Sequence, residues 1–157
     1  MAINPTRRWS ARARALAAGY RSGLEEKLAG QLQGLGRPVS FESMTVRYNV
    51  PERTARYTPD FPLVWNGIIV ESKGKFETED RQKHILIQNQ HPDLDIRFVF
   101  SRSASPIRKG SPTTYADWCQ RYGFQFADKL IPFAWIEEPP CARRIAAMER
   151  WLKDKET

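Results

Sequence analysis

The order of apolar patterns along this chain predicts a mixed α/β fold, a β-sheet with helices packed on it. Three observations carry that expectation. A run of leucines at helical spacing stands near the start, two strand-like runs flank Asn66-Gly67 in the middle, and helical and strand patterns then alternate to the end. At 157 residues the chain is one domain's worth.

The elements follow in order. Ser22-Gly23-Leu24-Glu25 reads as a capping box, and Leu24, Leu28, Leu32 and Leu35 give the helix behind it one apolar face. Gly34, Gly36 and Pro38 end it. Residues 39–50 read as extended, and 51–56 as a polar connector without a clear period. Strands are predicted over 57–64 and 68–73, joined by Asn66-Gly67 as a two-residue turn. Thr78 is the expected cap of a helix reaching Gln90, stopped by His91-Pro92. Residues 96–100 form a short apolar run, a buried strand. A helix is predicted over 111–122 with Gly123 at its C-terminal cap, 124–136 is ambiguous, and a last helix runs over 142–153 with Ile145, Met148 and Leu152 on one face.

Charge narrows the function classes. The net charge is +7, which favours a polyanionic partner, nucleic acid before others. No acid precedes Glu25, whereas Arg7, Arg8, Arg12, Arg14 and Arg21 all do. Residues 1–20 therefore read as a basic arm lying on phosphates; a transit peptide and a solvated tail share that composition. No apolar run has the roughly 20 residues a membrane span needs, so no membrane partner is expected. Cys119 and Cys141 make neither a disulfide framework nor a zinc-site spacing, which points to a reducing, cytoplasmic setting.

The chemistry gathers at the Asn66-Gly67 hairpin. A two-residue loop pairs positions summing to 133, so that Pro62 faces Glu71 and Asp60 faces Lys73. Asp60, Glu71 and Lys73 then share one face, and Phe61, Leu63, Trp65, Ile68 and Val70 take the other. Two carboxylates with a lysine suit phosphodiester hydrolysis. Asp60, Glu71 and the Ser72 carbonyl would hold Mg²⁺, which neutralises the phosphate and makes hydroxide near neutral pH. Lys73 would orient the attacking water or stabilise developing negative charge. Glu25 would add a third carboxylate, directly or through water, and admit a second metal ion. The plainer alternatives stay open here: Asp60 and Lys73 as a solvated cross-strand ion pair, and Glu25 as only the N3 residue of its capping box. His84 and His91 read as surface or helix-end residues.

Asp60, ten residues, then Glu71-Ser72-Lys73 is the pattern of the PD-(D/E)xK nucleases, with Pro59-Asp60 supplying the PD. Arg21-Ser22-Gly23-Leu24-Glu25, Tyr57-Thr58-Pro59-Asp60-Phe61, Val70-Glu71-Ser72-Lys73-Gly74, Asp80-Arg81-Gln82-Lys83-His84 and Phe126-Ala127-Asp128-Lys129-Leu130-Ile131-Pro132 resemble, in order, the bacteriophage T7 endonuclease I family of Holliday-junction resolvases. The resemblance runs over 21–139. It implies a restriction-endonuclease-like sheet flanked by helices in an intertwined, domain-swapped homodimer that cuts four-way and other branched DNA with Mg²⁺ or Mn²⁺. Carried over residue by residue, the metal carboxylates fall on Glu25, Asp60 and Glu71 and the catalytic lysine on Lys73. The bridge between subunits falls on 51–56, leaving 140–157 as a helical tail. A relative with nicking or mismatch specificity, and a non-catalytic binder of branched DNA, are the competing readings. A phage-encoded protein would work in the host cytoplasm.

Overall fold

The structure, a computed structural model, describes residues 19–50 and 52–152. Arg7, Arg8, Arg12 and Arg14, and with them almost all of the basic arm, lie outside the described residues.

Helix α1 (Gly23–Gly34) starts where the cap was expected, with Ser22 Oγ accepting from Glu25 N at 3.1 Å. Only half of the capping box forms, because the Glu25 carboxylate accepts from Arg21 N at 2.7 Å rather than from the cap residue. Strands β1 (Val46–Val50) and β2 (Arg53–Tyr57) form an antiparallel hairpin. Thus Arg53, Thr54, Ala55 and Arg56, expected to belong to a connector, are strand residues paired within the same chain. The alternation was faint because Arg53 is exposed and Ala55 is the only apolar inward residue before Tyr57.

The main sheet has the order β3-β4-β5-β6, with β3 Phe61–Leu63, β4 Ile68–Lys73, β5 Asp95–Phe100 and β6 Phe126–Asp128. β3 is antiparallel to β4; β4, β5 and β6 are parallel, so each connection carries a crossover helix, α2 (Thr78–Gln90) and then α3 (Tyr115–Tyr122). Helix α2 is capped by Glu77, one residue before the expected Thr78, and Asp80 Oδ2 accepts from Glu77 N at 3.2 Å. Helix α3 starts at Thr114, not Ser111, with a full capping box to Asp117, and ends at Gly123 in the left-handed region, φ 76°. The ambiguous stretch resolves into β6 and the short α4 (Phe133–Ile136).

Both sheet faces are covered. Ile68, Val70 and Val99 pack with Phe61 and Leu63 under Leu28 and Leu32 of α1 and Ile136 of α4. Ile69, Phe98 and Phe100 pack with Val46, Tyr57, Ile87 and Trp118 on the other side. Two-sided burial is why β4 and β5 read as nearly continuous apolar runs. The terminal helix α5 (Ala142–Glu149) buries Met148 and stops four residues early. Leu152 instead bridges to Met44, and Trp151 O accepts from Thr45 N, so the tail is tied to the domain.

The β3–β4 register departs from the expected one by two residues. Phe61 faces Val70 and Leu63 faces Ile68, leaving residues 64–67 as a four-residue loop. Tertiary bonds pull the loop open. Asn66 Nδ2 donates to Trp135 O at 2.8 Å and to Glu138 O at 3.2 Å, and Trp65 Nε1 donates to Ile136 O at 2.9 Å. An even shift preserves the faces, so the apolar set still lands in the core. Gly67 has φ 87°, and a Cβ there would lie 2.7 Å from Arg144 Cβ and 2.8 Å from Ile145 N. Gly67→Ala is therefore expected to cost about 3 kcal/mol, from the strained backbone and the overpacked helix. Thermal unfolding should show a midpoint about 6–12 °C lower; a drop under 2 °C would contradict this.

Candidate active site

The sheet ends the chain's acidic residues at one place. Glu71 and Lys73 alternate with Ser72 along β4, so Glu71 and Lys73 share a face and Ser72 takes the other. Asp60 stands just before β3, where the β3–β4 ladder has stopped. Its Oδ2 fills the place of a ladder acceptor, taking Ser72 N at 3.0 Å and Ser72 Oγ at 2.8 Å. Helix α1 brings Glu25 to the same end. Glu25, Asp60 and Glu71 are 7%, 3% and 5% exposed.

The expected pairing of Asp60 with Lys73 across the strands is corrected. Lys73 Nζ lies 3.2 Å from Asp80 Oδ1 and 3.8 Å from Glu71 Oε1, and no ion pair joins it to Asp60 among the described residues. The two-residue register shift puts Asp60 opposite Glu71 instead. The solvated-ion-pair alternative fails on burial alone. Glu25 does hold the N3 position, and that position is what aims its carboxylate inward.

Burial and crowding disfavour every negative charge here. Burial raises the Glu71 pKa from 4.5 to about 8, with Asp60's charge adding to it; Lys73 and the Tyr57 hydrogen bond oppose the rise. Burial also raises Asp60, against two hydrogen bonds from Ser72. Burial raises the Glu25 pKa, against the hydrogen bond from Arg21 N, and the charge of Asp60 adds to the rise. Burial works against the Lys73 ammonium, but Glu71 and Asp80 outweigh it and raise its pKa.

Sequence reasoning missed the residues around this core. Tyr57, fully buried, donates from its hydroxyl to Glu71 Oε2 at 2.5 Å, and burial followed by Glu71 holds its pKa well above 10. It is thus a fixed donor. Asp80 joins Lys73 to the first turn of α2. Lys83 Nζ sits 4.9 Å from the centre of the Tyr57 ring, and burial lowers its pKa. Asp80 and Lys83 are three residues apart on one helix and share one of the motifs that carry the family resemblance, and those two signals could have grouped them.

His84 also corrects an expectation. It is wholly buried, not on the surface, edge-on to Tyr57 and Phe98, and neither ring nitrogen has a hydrogen-bond partner among the described residues. Burial lowers its pKa well below 6.5, which keeps it neutral. An isolated polar residue in a charged helix gives no periodic sign of burial. His91 does cap α2, with Nε2 at 2.5 Å from Arg47 O. Arg21 is exposed, and its guanidinium pairs with Glu42. Cys119 and Cys141 are free thiols.

Three buried acids and a half-buried lysine thus stand together at one end of a mixed sheet, not on a solvated hairpin. The model of the phage endonuclease I family matches residues 4–156. Endonuclease I of Escherichia phage T7 is 52% identical over 120 residues, covering 76% of this chain and 80% of that protein. Endodeoxyribonuclease 1 of Enterobacteria phage T3 is likewise 52% identical over 120 residues, covering 76% and 78%. The chain belongs to the phage endonuclease I family, and its class is that of the endonucleases.

Proposed function

We propose that the protein is a DNA endonuclease that hydrolyses phosphodiesters at four-way junctions and other branched DNA, with a divalent cation, Mg²⁺ or Mn²⁺, held at Asp60 and Glu71. One observation carries this reading. Three buried carboxylates stand at one end of the sheet, with the charge of Asp60 adding to the raised pKa of both Glu25 and Glu71, in a chain whose net charge is +7. A protein that only bound DNA would gain nothing from acids that repel phosphate.

The donor set fits such an ion. Asp60 and Glu71 offer hard oxygens, and a cation would offset the burial that raises both pKa values and, at Glu71, the added charge of Asp60. No three His, Cys, Asp or Glu side chains form a closed metal-holding group among the described residues. One or two ions would therefore lean on the Ser72 carbonyl, water, substrate oxygens and, through water, Glu25. When bound, the ion supplies charge neutralisation at the phosphate and a lowered water pKa.

The chain's own residues do the rest. Tyr57 fixes Glu71 Oε2 and leaves Oε1 directed toward Lys73. Ser72 fixes one oxygen of Asp60. Lys73 is steered by Asp80 to the rim of the carboxylates, where its ammonium would orient the attacking water or stabilise the phosphorane-like charge. The arginines of the N-terminal arm and Arg21 would add phosphate contacts. No helix among the described residues is long and apolar enough to cross a membrane, and the protein would act in the host cytoplasm.

Single-turnover cleavage of a four-way junction, a linear duplex and a mismatched duplex under Mg²⁺ and Mn²⁺ titration tests this. Paired symmetric cuts at the junction are expected, far faster than on linear DNA. Equal rates on all three would reject branch selectivity, and cuts confined to one strand would favour the nicking or mismatch alternative.

Family membership also suggests a homodimer that exchanges segments across the bridge at 51–56. Glu52, at the β1–β2 turn, has φ 79°, a strained value for a non-glycine residue that opening the hairpin would relieve. Each site would then join Glu25 of one subunit to Asp60, Glu71 and Lys73 of the other. Co-expressed Glu25→Ala and Lys73→Ala subunits would place both lesions in one site and leave the other whole. The heterodimer should nick a junction without resolving it; a heterodimer with no activity means each site is built within one chain.

A further inference from the structure

The β1–β2 hairpin breaks a rule of sheet design on its outer face. Arg47 and Arg56 are direct cross-strand partners. Facing positions bring side chains within about 5 Å at Cβ, and like charges placed there destabilise the pair. Both arginines are exposed. Among the described residues neither guanidinium has an ion pair, hydrogen bond or ring partner; Arg53, Arg102, Arg108 and Arg150 share that state, but Arg47 and Arg56 alone of these face each other across a ladder.

The neighbours extend the pattern. Toward the turn the same face carries Asn49 opposite Thr54, whose Oγ1 lies 3.5 Å from Asn49 Oδ1. Toward the sheet it carries Thr45 and Thr58, with hydroxyls 3.5 Å apart. No carboxylate and no apolar side chain interrupts these three steps. The inner face is ordinary core, with Val46, Tyr48, Ala55 and Tyr57 buried. Beyond Thr58 the chain runs directly into Pro59 and Asp60. Arg56 thus stands at most about 14 Å from Asp60, four extended residues away.

We infer that Arg47 and Arg56 form a clamp for a backbone phosphate of the DNA strand flanking the scissile bond. Two forked guanidiniums side by side, bordered by hydroxyls and an amide, match the oxygens of one phosphate or of two in succession. The phosphate supplies the negative charge that the hairpin lacks. Repulsion in the free protein is relieved on binding, so the ribbon is stabilised by DNA. The site guides the strand toward Asp60 and touches no reacting atom. The inference rests on the reading of the protein as a DNA endonuclease.

The test compares wild type with the double variant Arg47→Thr/Arg56→Thr, which keeps residues suited to a strand. Junction binding is measured in EDTA across a salt series, alongside metal titration and thermal unfolding. The double variant should bind about 10- to 100-fold more weakly. Its log–log salt slope should be shallower by about 0.9 per arginine, about 1.8 per ribbon. Its unfolding midpoint should be equal or higher and its metal binding unchanged. Arg56→Glu alone, which sets opposite charges face to face, should firm the hairpin and weaken binding further. A wild type that cleaves DNA while the double variant keeps its slope and affinity overturns the clamp and leaves the nuclease reading standing. A double variant that changes oligomeric state at an unchanged slope also overturns it, by giving the pair a role in assembly. A wild type that neither binds nor cuts any DNA removes the nuclease reading, and the clamp with it.

Discussion

Glu71→Gln is expected to abolish cleavage and, in the absence of metal, to make the protein more stable. The two effects share one cause. Glu71 is 5% exposed, lies beside Asp60, and has a pKa raised from 4.5 to about 8, chiefly by burial. A carboxyl whose folded pKa exceeds its unfolded one is held as the neutral acid by the fold. Its protonated form costs nothing below about pH 4.5, and the folded state loses stability as pH rises from there through about 8, where the charge must be buried. Each pH unit of that window is worth about 1.36 kcal/mol. If half of the displacement is realised, Gln gains about 2 kcal/mol at pH 8, or about 4–8 °C in the unfolding midpoint. Gln still accepts from the Tyr57 hydroxyl, so packing is kept. Cleavage should fall at least about 10³-fold. Metal-free melts at pH 5 and pH 8 decide the matter: the variant's advantage should be small at pH 5 and large at pH 8. A variant that is less stable than wild type at pH 8 would mean that Glu71 is charged and satisfied in the free protein.

Lys73→Ala separates holding a cation from using it. An ammonium is no ligand, and Lys73 is already engaged with Asp80 and Glu71. Its removal should cut the single-turnover rate about 10²–10⁴-fold and leave metal binding unchanged or tighter, since a competing positive charge has gone. Calorimetric metal titration beside junction cleavage reads both. Loss of metal binding together with activity would make Lys73 a prop for the carboxylates, not a participant in the reaction. Asp80 and Glu71 would be left facing one another, so some loss of stability is expected in this variant, in contrast with Glu71→Gln.

The sequence by itself determined the fold class, the helices around Leu28 and Ile87, the buried strand at Ile96–Phe100, and the grouping of Asp60 and Glu71 with Lys73. These were legible because their signals are local. Heptad-like spacing, a serine cap and two-residue alternation are all set by bonds within a few residues. The face assignments of Phe61, Leu63, Ile68 and Val70 survived even a wrong register, because the shift was of two residues. What only the tertiary structure decided depends on partners far along the chain. The loop at residues 64–67 opened because Asn66 and Trp65 bond to the α4 segment about 70 residues away. Arg53, Thr54, Ala55 and Arg56 became a strand because Val46–Val50 lay beside them. Lys73 turned to Asp80, Tyr57 to Glu71, and His84 into an aromatic core, none of which a local pattern encodes. A free energy shared between distant side chains leaves no period in the sequence, and the facing arginines 47 and 56 became visible only once the register was known.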